Sequence, residues 1–432
     1  MNVFLLKGRL QNVSPVLIAR EKSKGEFVDI ELLKDTQGRF FIPGSSFKGI
    51  LKHHFARNFK KEFIKEFFGS EESESLAFFE DLKISSEQVI EVRDGIKLND
   101  YMVAEDRAKF DYEILAPGST FELNIFLKAK DNEDEIRSIF KTIKKELLEG
   151  NVRIGAFTSK GFGLLKVEDI KLYRFKLPQD AFKYFEFMDN QKLYDDLEDG
   201  LEDVEELERL QNLCKIELQC EIKNSLIIRS YGGIEEEADS VHLRTKGRLT
   251  ISGSSIKGAL RFRAKRILNT LGLSDDLVKE LFGVEKSKEN KSKKAKLIID
   301  ECYIEDDDVL KELVHRIRID RFTGGVIETA LMDSKPIWHN KERLVFKFLI
   351  ENPKDEELGL LLLIFKDLWN EDLPIGGEKS IGRGVLSGVY MRIELGNDVY
   401  EIEKKDNKLI IKGDKSKLEG FVKSLLKERA YV

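Results

Sequence analysis

The sequence predicts an α+β fold used twice: two tandem ferredoxin-like (RRM-like) domains carrying inserted hairpins and loops. Three observations lead there. A helix-opening motif recurs, PGSSFKGILKHHFARNF from Pro43 and SGSSIKGALRFRAKRIL from Ser252, an offset of 209 residues. A glycine-rich segment recurs downstream, GAFTSKGFG from Gly155 and GGEKSIGRG from Gly376, an offset of 221. Around these anchors, apolar runs and period-two strand patterns interleave with stretches of helical periodicity.

Each element of the first copy has a partner in the second. The short strands RFFI and RLTI follow the turn glycines Gly38 and Gly247 and lead into the GSS helices. Further on, FFG at Phe67 matches LFG at Leu281, LAFFEDLKI matches KLIIDECYI, and IKLND at Ile96 matches IRIDR at Ile317. The strand TFELNIFLK pairs with RLVFKFLI, and EIRSIFKTIKKELLEG carries apolar residues at helical spacing. The two offsets differ by 12, so one insertion in the second copy reconciles them. The Lys-rich VEKSKENKSKKAK, Val284 to Lys296, is the natural place for it, as a mobile loop. Strands interleaved with two helices imply a split βαβ sheet, one face covered by helices and the other free.

The expected domains are residues 1–175, an acidic connector over 176–212, and 213–432 with a C-terminal hairpin and basic amphipathic helix. The connector, LYDDLEDGLEDVEELERLQNL, reads as a helix with leucines near helical spacing. It is either a solvated connector docking one apolar stripe or an acidic barrier that keeps RNA off one face.

The chain has 432 residues, 41% hydrophobic and 35% charged, enough for two or three domains with their own cores. Lys and Glu dominate the charge, a bias common in heat-adapted proteins. No signal-peptide pattern and no membrane-spanning run is evident. Cys214, Cys220 and Cys302 lack zinc-site spacing and read as reduced core thiols, so a cytoplasmic location is expected.

A net charge of −6 argues against a nucleic-acid partner until its distribution is considered. Ten acidic residues lie between Asp189 and Glu208, whereas FKGILKHHFARNFKK and IKGALRFRAKRIL are strongly basic. Local basic surface decides whether phosphates bind.

The GSS motif has the makings of an anion-binding device. Gly44 and Gly253 permit a sharp turn, and Ser45, Ser46, Ser254 and Ser255 can cap exposed amides. The helix N-terminus favours a phosphate, with Lys48 and Lys257 adding charge. A Ser-capped helix is also an ordinary structural device. The recurrence of cations along the helices, Lys52 and Arg57, then Arg261, Arg263, Lys265 and Arg266, favours phosphate binding. In the glycine-rich segments, Lys160 and Gly161, and Lys379, Ser380, Gly382 and Arg383, combine close backbone approach with charge. Neither segment is a Walker loop or a dinucleotide fingerprint.

GSSxKG opening a helix, followed by a late GGxxSxGxG loop, resembles the RAMP superfamily of CRISPR-associated proteins. IRIDRFTGG with TALMDSKPI resembles the middle segment of the repeating backbone subunit of type III (Csm/Cmr-like, III-D-like) effector complexes. The first copy, IKLNDYMVAEDRAKFDYEILAPG, keeps that pattern only in degraded form. The resemblance implies two RAMP domains that grip crRNA through its backbone, with an inserted hairpin interrupting the guide–target duplex. Target RNA, a large polymerase-like subunit and further RAMP proteins are the implied partners. Backbone gripping is sequence-independent, so base pairing with the guide selects the target.

Some members of the family also cut target RNA with an acidic residue in the loop before the GSS strand. Asp29 lies 15 residues before Gly44 and Asp239 lies 14 before Gly253, which makes both candidate catalytic and metal-binding residues. A carboxylate there suits Mg²⁺ or another divalent cation, bound transiently, with attack by the neighbouring ribose 2′-hydroxyl. Asp35, Glu26, Glu31 and Glu235–Glu237 compete nearby, and loops use Asp for turns. Two alternatives stay open: a purely structural crRNA-binding subunit, or a metal-independent guide-processing nuclease using a histidine such as His53 or His54. His242, His315 and His339 lack partners at suggestive spacing.

Overall fold

The computed structural model describes residues 1–20, 28–59, 63–99, 101–129, 131–210, 212–231, 238–284, 292–328, 330–340, 343–405 and 408–427. The chain divides into two compact units. The first comprises residues 1–93, 110–158 and 162–211, and the second 94–109, 159–161 and 212–432.

In the first copy the elements run β1 (Asn2–Asn12), α1 (Gly44–Asn58), β2 (Ala77–Phe79), β3 (Ile90–Leu98), β4 (Ala104–Leu115), β5 (Thr120–Ala129), α2 (Glu133–Leu148), β6 (Leu165–Lys176) and α3 (Ala181–Asn190). The sheet order is β2-β5-β1-β6, extended at its edge by Glu198–Asp199, and β1 is antiparallel to both neighbours. This is the ferredoxin-like βαββαβ arrangement, with the two-stranded sheet of β3 and β4 inserted before the third strand. Ile136, Ile139, Phe140, Ile143 and Leu147 of α2 share one buried stripe and join Phe47, Leu51 and Phe55 of α1 over the sheet.

The expectation of a free second face fails in this copy. The run VFLLKGRL is apolar on both sides: Phe4, Leu6 and Leu10 enter the main core, while Val3 and Leu5 point the other way. Phe187 of α3 covers that second face together with Phe175 and Leu197.

The connector is not the helix that its leucine spacing suggested. Apart from a short turn at Asp195–Leu197 and the edge strand Glu198–Asp199, residues 198–210 run as an irregular strap along α2. Arg137 donates to Asp199 at 2.7 Å and to Asp203, Lys141 donates to the Val204 carbonyl at 2.7 Å, and Leu207 N–H donates to Thr142 at 2.9 Å. Leu201, Val204 and Leu207 are buried against the core. Burying such side chains stabilises by about 1.5–3 kcal/mol each, and the repulsion of so many neighbouring carboxylates opposes a regular helix.

The second copy repeats the plan: β7 (Leu213–Ile222), β8 (Arg229–Tyr231), β9 (Ser240–His242), α4 (Gly253–Leu271), β10 (Leu297–Ile299), β11 (Val314–Arg316), β12 (Met332–Lys335), β13 (Leu344–Glu351), α5 (Asp355–Trp369) and β14 (Leu386–Leu395). The sheet order β10-β13-β7-β14 reproduces that of the first copy. Here β7 alternates strictly, Cys214, Ile216, Leu218, Cys220 and Ile222 facing the core while Lys215, Glu217 and Gln219 face away. The chain then adds β15 (Asp398–Lys405), β16 (Lys408–Lys412) and α6 (Lys415–Lys427). The strands extend the sheet, and α6 lies on α5 so closely that a Cβ on Gly359 would stand 2.2 Å from the Phe421 carbonyl oxygen. Among the described residues no helix is long and apolar enough to cross a membrane. Cys214, Cys220 and Cys302 are free and buried, and burial raises each thiol pKa, to about 12 for Cys214 and Cys302. Residues 285–291 of the Lys-rich insertion, and Glu26 and Glu235–Glu237, lie outside the described residues.

Candidate nucleic-acid interface

The GSS glycines serve packing, not turning. Neither Gly44 nor Gly253 has a positive φ. A Cβ on Gly44 would stand 2.2 Å from the Phe79 carbonyl oxygen, and one on Gly253 would stand 2.6 Å from that of Ile299. Both helices therefore start against the second strand of their own sheet, in equivalent places. The Gly44 amide already donates to Asp81 at 2.8 Å, so the chain supplies a carboxylate of its own at the start of α1. In α4 the cap is Ser252, not Ser254 or Ser255: its hydroxyl accepts from the Ser255 amide at 3.3 Å, and Ser254 donates to Ser252 at 3.1 Å.

The cations along the two helices differ. Ser45, Lys48, Gly49 and Lys52 line an open cleft of about 570 Å³ with the loop Gly69–Ser75, which also carries Glu71, Glu72 and Glu74. Burial and then the neighbouring Lys52 lower the Lys48 pKa. Lys52 and Ser45 are exposed, and Ser46 and Arg57 are half-buried.

In α4 two expected phosphate contacts are engaged by the chain itself, one turned inward and the other paired across a helix crossing, unlike the sequence reading. Lys257 is buried and donates to Ser159 at 2.7 Å, within the unit that takes in residues 159–161. Burial, then Lys160 and Arg261, push its amine down to about 7. Arg263 donates to Asp367 of α5 and ties the two helices together. Charge repetition in a sequence does not distinguish a cation that faces solvent from one that pairs across a helix crossing. Arg261, Lys265 and Lys160 are half-buried, Arg266 is exposed and Gly161 is buried.

The glycine-rich loops share one backbone. Phe157 and Glu378 both have left-handed φ, 59° and 57°, and Gly163 and Gly384 have φ of 80° and 81°. Ser380 and Gly382 are exposed, Lys379 is half-buried and its amine pKa is lowered by burial, and Arg383 is buried.

Asp29 and Asp239 occupy the same position in the two copies. Asp29 precedes a parallel bridge between Ile30 and Tyr112, and Asp239 precedes the parallel pairing of Ser240 with Ser334. The Asp29 carboxylate accepts from the Asp111 amide at 3.1 Å, and that of Asp239 from the Asp333 amide at 3.2 Å. Both aspartates are exposed. In the second copy His315 of β11 lies across the strand pair from Asp333, its Nδ1 2.8 Å from the carboxylate. The sequence reading passed over Asp111, Asp333 and the His315 pairing. A signal was present, because Asp111 and Asp333 stand 222 residues apart, within one residue of the loop offset of 221.

The inserted segments end in exposed aromatics. Tyr101, in the turn between β3 and β4, is 86% exposed, and Phe322 is 99% exposed in a turn held by Asp320, whose carboxylate accepts from the Phe322 and Thr323 amides at 2.8 Å. Those two bonds hold the Asp320 carboxyl below its usual range. Arg318 and Arg321 flank this turn in sequence, and Lys97, Arg107 and Lys109 flank the other. Among the described residues no group of three or more His, Cys, Asp or Glu side chains is placed to hold a metal ion unaided.

His54 is not placed for acid–base chemistry. It is buried, its Nε2 lies 2.6 Å from Glu146, and Arg209 of the strap also binds that carboxylate. His242 is buried too, and its imidazole is pushed down to about 4 by burial.

Comparison with known proteins follows the same division. The family model of the RAMP superfamily matches residues 9–166 and 219–387. Among solved structures, a chain in the cryo-EM structure of the type III-B Cmr-beta bound to cognate target RNA is similar at 21% identity and a TM-score of 0.33. The match covers 39% of this chain and 60% of that one. No curated protein matches the chain. Because the family match takes in both copies and well over half of the residues, the chain belongs to the RAMP superfamily.

Proposed function

We propose that this chain is a two-module backbone subunit of a type III CRISPR RNA-guided effector complex. It holds crRNA through the phosphate backbone and cleaves complementary target RNA beside Asp29 and Asp239. The observation that carries the reading is the doubled acidic site. In each copy an exposed aspartate is anchored to the amide of a second aspartate, at 3.1 Å in one and 3.2 Å in the other. That second aspartate lies on the strand returning from an inserted segment with an exposed aromatic turn. Accepting one amide needs only an acceptor oxygen, which asparagine also supplies, so the bond alone does not call for a charge in both copies. A subunit that cuts at regular intervals does.

An exposed carboxylate of this kind suits Mg²⁺, which keeps several waters and takes one or two protein carboxylates plus substrate phosphates. Asp29 and Asp239 are the residues that would hold it. Such a cation supplies charge stabilisation at the scissile phosphate as the ribose 2′-hydroxyl attacks. The chain's own part is to fix the carboxylate: the amide bond from Asp111 or Asp333 orients Asp29 or Asp239, and the exposed turn offers an aromatic ring to the RNA. The partners of this reading are crRNA, target RNA, a large polymerase-like subunit and further RAMP proteins, in the cytoplasm. A histidine-driven guide-processing nuclease has less support, because His54 is buried against Glu146.

The test is target cleavage by the reconstituted complex with Mg²⁺, comparing wild type with the Asp29→Ala, Asp239→Ala double variant. Loss of cleavage with guide binding retained supports the reading. Unchanged cleavage removes the site assignment and leaves a structural subunit.

A further inference from the structure

Asp333 serves two partners at once in the second copy. Its main-chain amide donates to the Asp239 carboxylate at 3.2 Å, and its own carboxylate lies 2.8 Å from Nδ1 of His315. The three residues form one row across neighbouring strands. In the small sheet ordered β8-β9-β12-β11, Asp239 stands just before β9, Asp333 lies on β12, and His315 lies directly opposite Asp333 on the outer strand β11. Two strand spacings of about 4.8 Å each therefore separate the backbone of His315 from that of Asp239.

The imidazole is placed for proton transfer. Its side chain is 60% exposed, while that of Asp333 is 18% exposed. A carboxylate that accepts from Nδ1–H fixes the ring and its tautomer and leaves Nε2 as a proton acceptor. Among the described residues Nε2 has no partner. An ion pair this exposed contributes little to stability. The charged groups around the ring, besides Asp333, are Lys335, two residues along β12 and so on the same side of that strand, and Asp239 one strand further. Arg316, next to His315 on β11, is engaged by Glu378, which also takes Arg229.

The first copy lacks this group. Asp111 and Asp333 stand 222 residues apart, and so do Arg93 and His315. Arg93 is buried, its guanidinium over the Phe162 ring at 5.5 Å. A guanidinium stays protonated in proteins and cannot accept a proton. Both copies thus keep the anchored aspartate, and only the second adds an imidazole to its row.

We infer that His315, oriented by Asp333, is the general base of the cleavage site at Asp239, and that the site at Asp29 works without one. The inference rests on the cleavage reading above, which it deepens by assigning the proton transfer and making the two sites chemically unequal. Nε2 takes the proton of the ribose 2′-hydroxyl as that oxygen bonds to phosphorus. The bond from phosphorus to the 5′-oxygen breaks, and the leaving oxygen takes a proton from water. The imidazolium then returns its proton to solvent. The products are a cyclic phosphate and a 5′-hydroxyl.

The experiment follows both products of the reconstituted complex with Mg²⁺ from about pH 5 to 8, where imidazoles change charge. In wild type the rate of the Asp239 product should rise about tenfold per pH unit on the acid side of neutrality and then level off as the base becomes neutral. The Asp29 product should show no such levelling. His315→Ala should slow the Asp239 product about 100-fold, the scale of a general base, and leave the Asp29 product unchanged. Added imidazole should speed the slowed product and have no effect on the other. Asp333→Asn keeps the main-chain amide that holds Asp239 but removes the orienting charge, so it should slow the same product. Combined with His315→Ala it should be no slower than the worse single variant, because the pair acts as a unit.

An Asp239 product made at the wild-type rate by His315→Ala overturns the inference and leaves the cleavage reading standing. So does a slowed product that keeps the levelling profile or gains nothing from imidazole, the pattern of a purely structural pair. Losses that multiply in the double variant overturn the orienting role of Asp333. A wild-type complex that makes no Asp239 product fails the cleavage reading itself, and the inference with it.

Discussion

The main-chain amide of Asp333 donates to the carboxylate of Asp239 at 3.2 Å, and Asp111 does the same for Asp29 at 3.1 Å. Asparagine keeps the acceptor oxygen of that bond while removing the charge. Asp29→Asn and Asp239→Asn should therefore fold as wild type, since exposed substitutions are usually within about 0.5 kcal/mol. Each should slow target cleavage at its own position by about 100-fold or more, the loss of several kcal/mol of charge stabilisation. Product lengths from the reconstituted complex read this directly: each variant should delete one product and leave the other.

Removing divalent cations should stop cleavage without releasing the guide. EDTA is expected to abolish product formation while crRNA stays bound in a filter or gel-shift assay, because backbone gripping depends on counterion release from Lys and Arg contacts. Undiminished cleavage in EDTA would point away from a metal-assisted site.

The strap over α2 is anchored by a buried carboxylate. Burial pushes the Glu146 pKa up, but hydrogen bonds from His54 and Arg209 outweigh it and hold the group below its ordinary value. A depressed carboxylate contributes stability that is present above its unfolded value, near 4.5, and is lost as pH falls through the folded value. Glu146→Ala should cost about 3 kcal/mol at neutral pH by leaving the arginine without its buried partner. Urea denaturation against pH checks both: the gap between variant and wild type should close below pH 4.5.

Lys257 has the opposite sign. Its folded pKa, pushed down to about 7, lies below the unfolded 10.5, so the unfolded chain binds more protons between those values. Stability should rise with pH from about 7 to 10.5, by at most about 1.4 kcal/mol per pH unit. In Lys257→Met this rise should disappear; an identical slope in the variant would show that the amine is not held neutral.

Glycine-rich loop geometry gives a prediction that spans both copies. Gly163 and Gly384 have φ of 80° and 81°, and a Cβ would stand 1.9 Å from the carbonyl oxygen of Ile154 or Ile375. Gly163→Ala and Gly384→Ala should each destabilise by about 2 kcal/mol or more. Gly382, with φ 85° but nothing within 4 Å, should cost less, since only the backbone strain applies. Chemical denaturation of the three variants ranks them.

The sequence by itself determined the duplication, the α+β class and the positions of the elements that repeat. Period-two and period-3.6 patterns report local burial, and an ordered series of matches carried through many elements is independent of any fold. The family resemblance singled out Asp29 and Asp239, and the structure puts both at equivalent positions, each before a parallel bridge. What the sequence did not determine was partnership across the chain. The strap looked helical because Leu201, Val204 and Leu207 have helical spacing, yet the same spacing serves a segment pinned to Arg137, Lys141 and Thr142. Lys257 and Arg263 read as phosphate contacts until the packing around α4 turned one inward and paired the other with Asp367. Arg229 and Arg316 lie on different strands far apart in sequence, and only the tertiary structure brings both onto Glu378. Local patterns fix what each segment becomes. Which charges meet is a long-range outcome of packing.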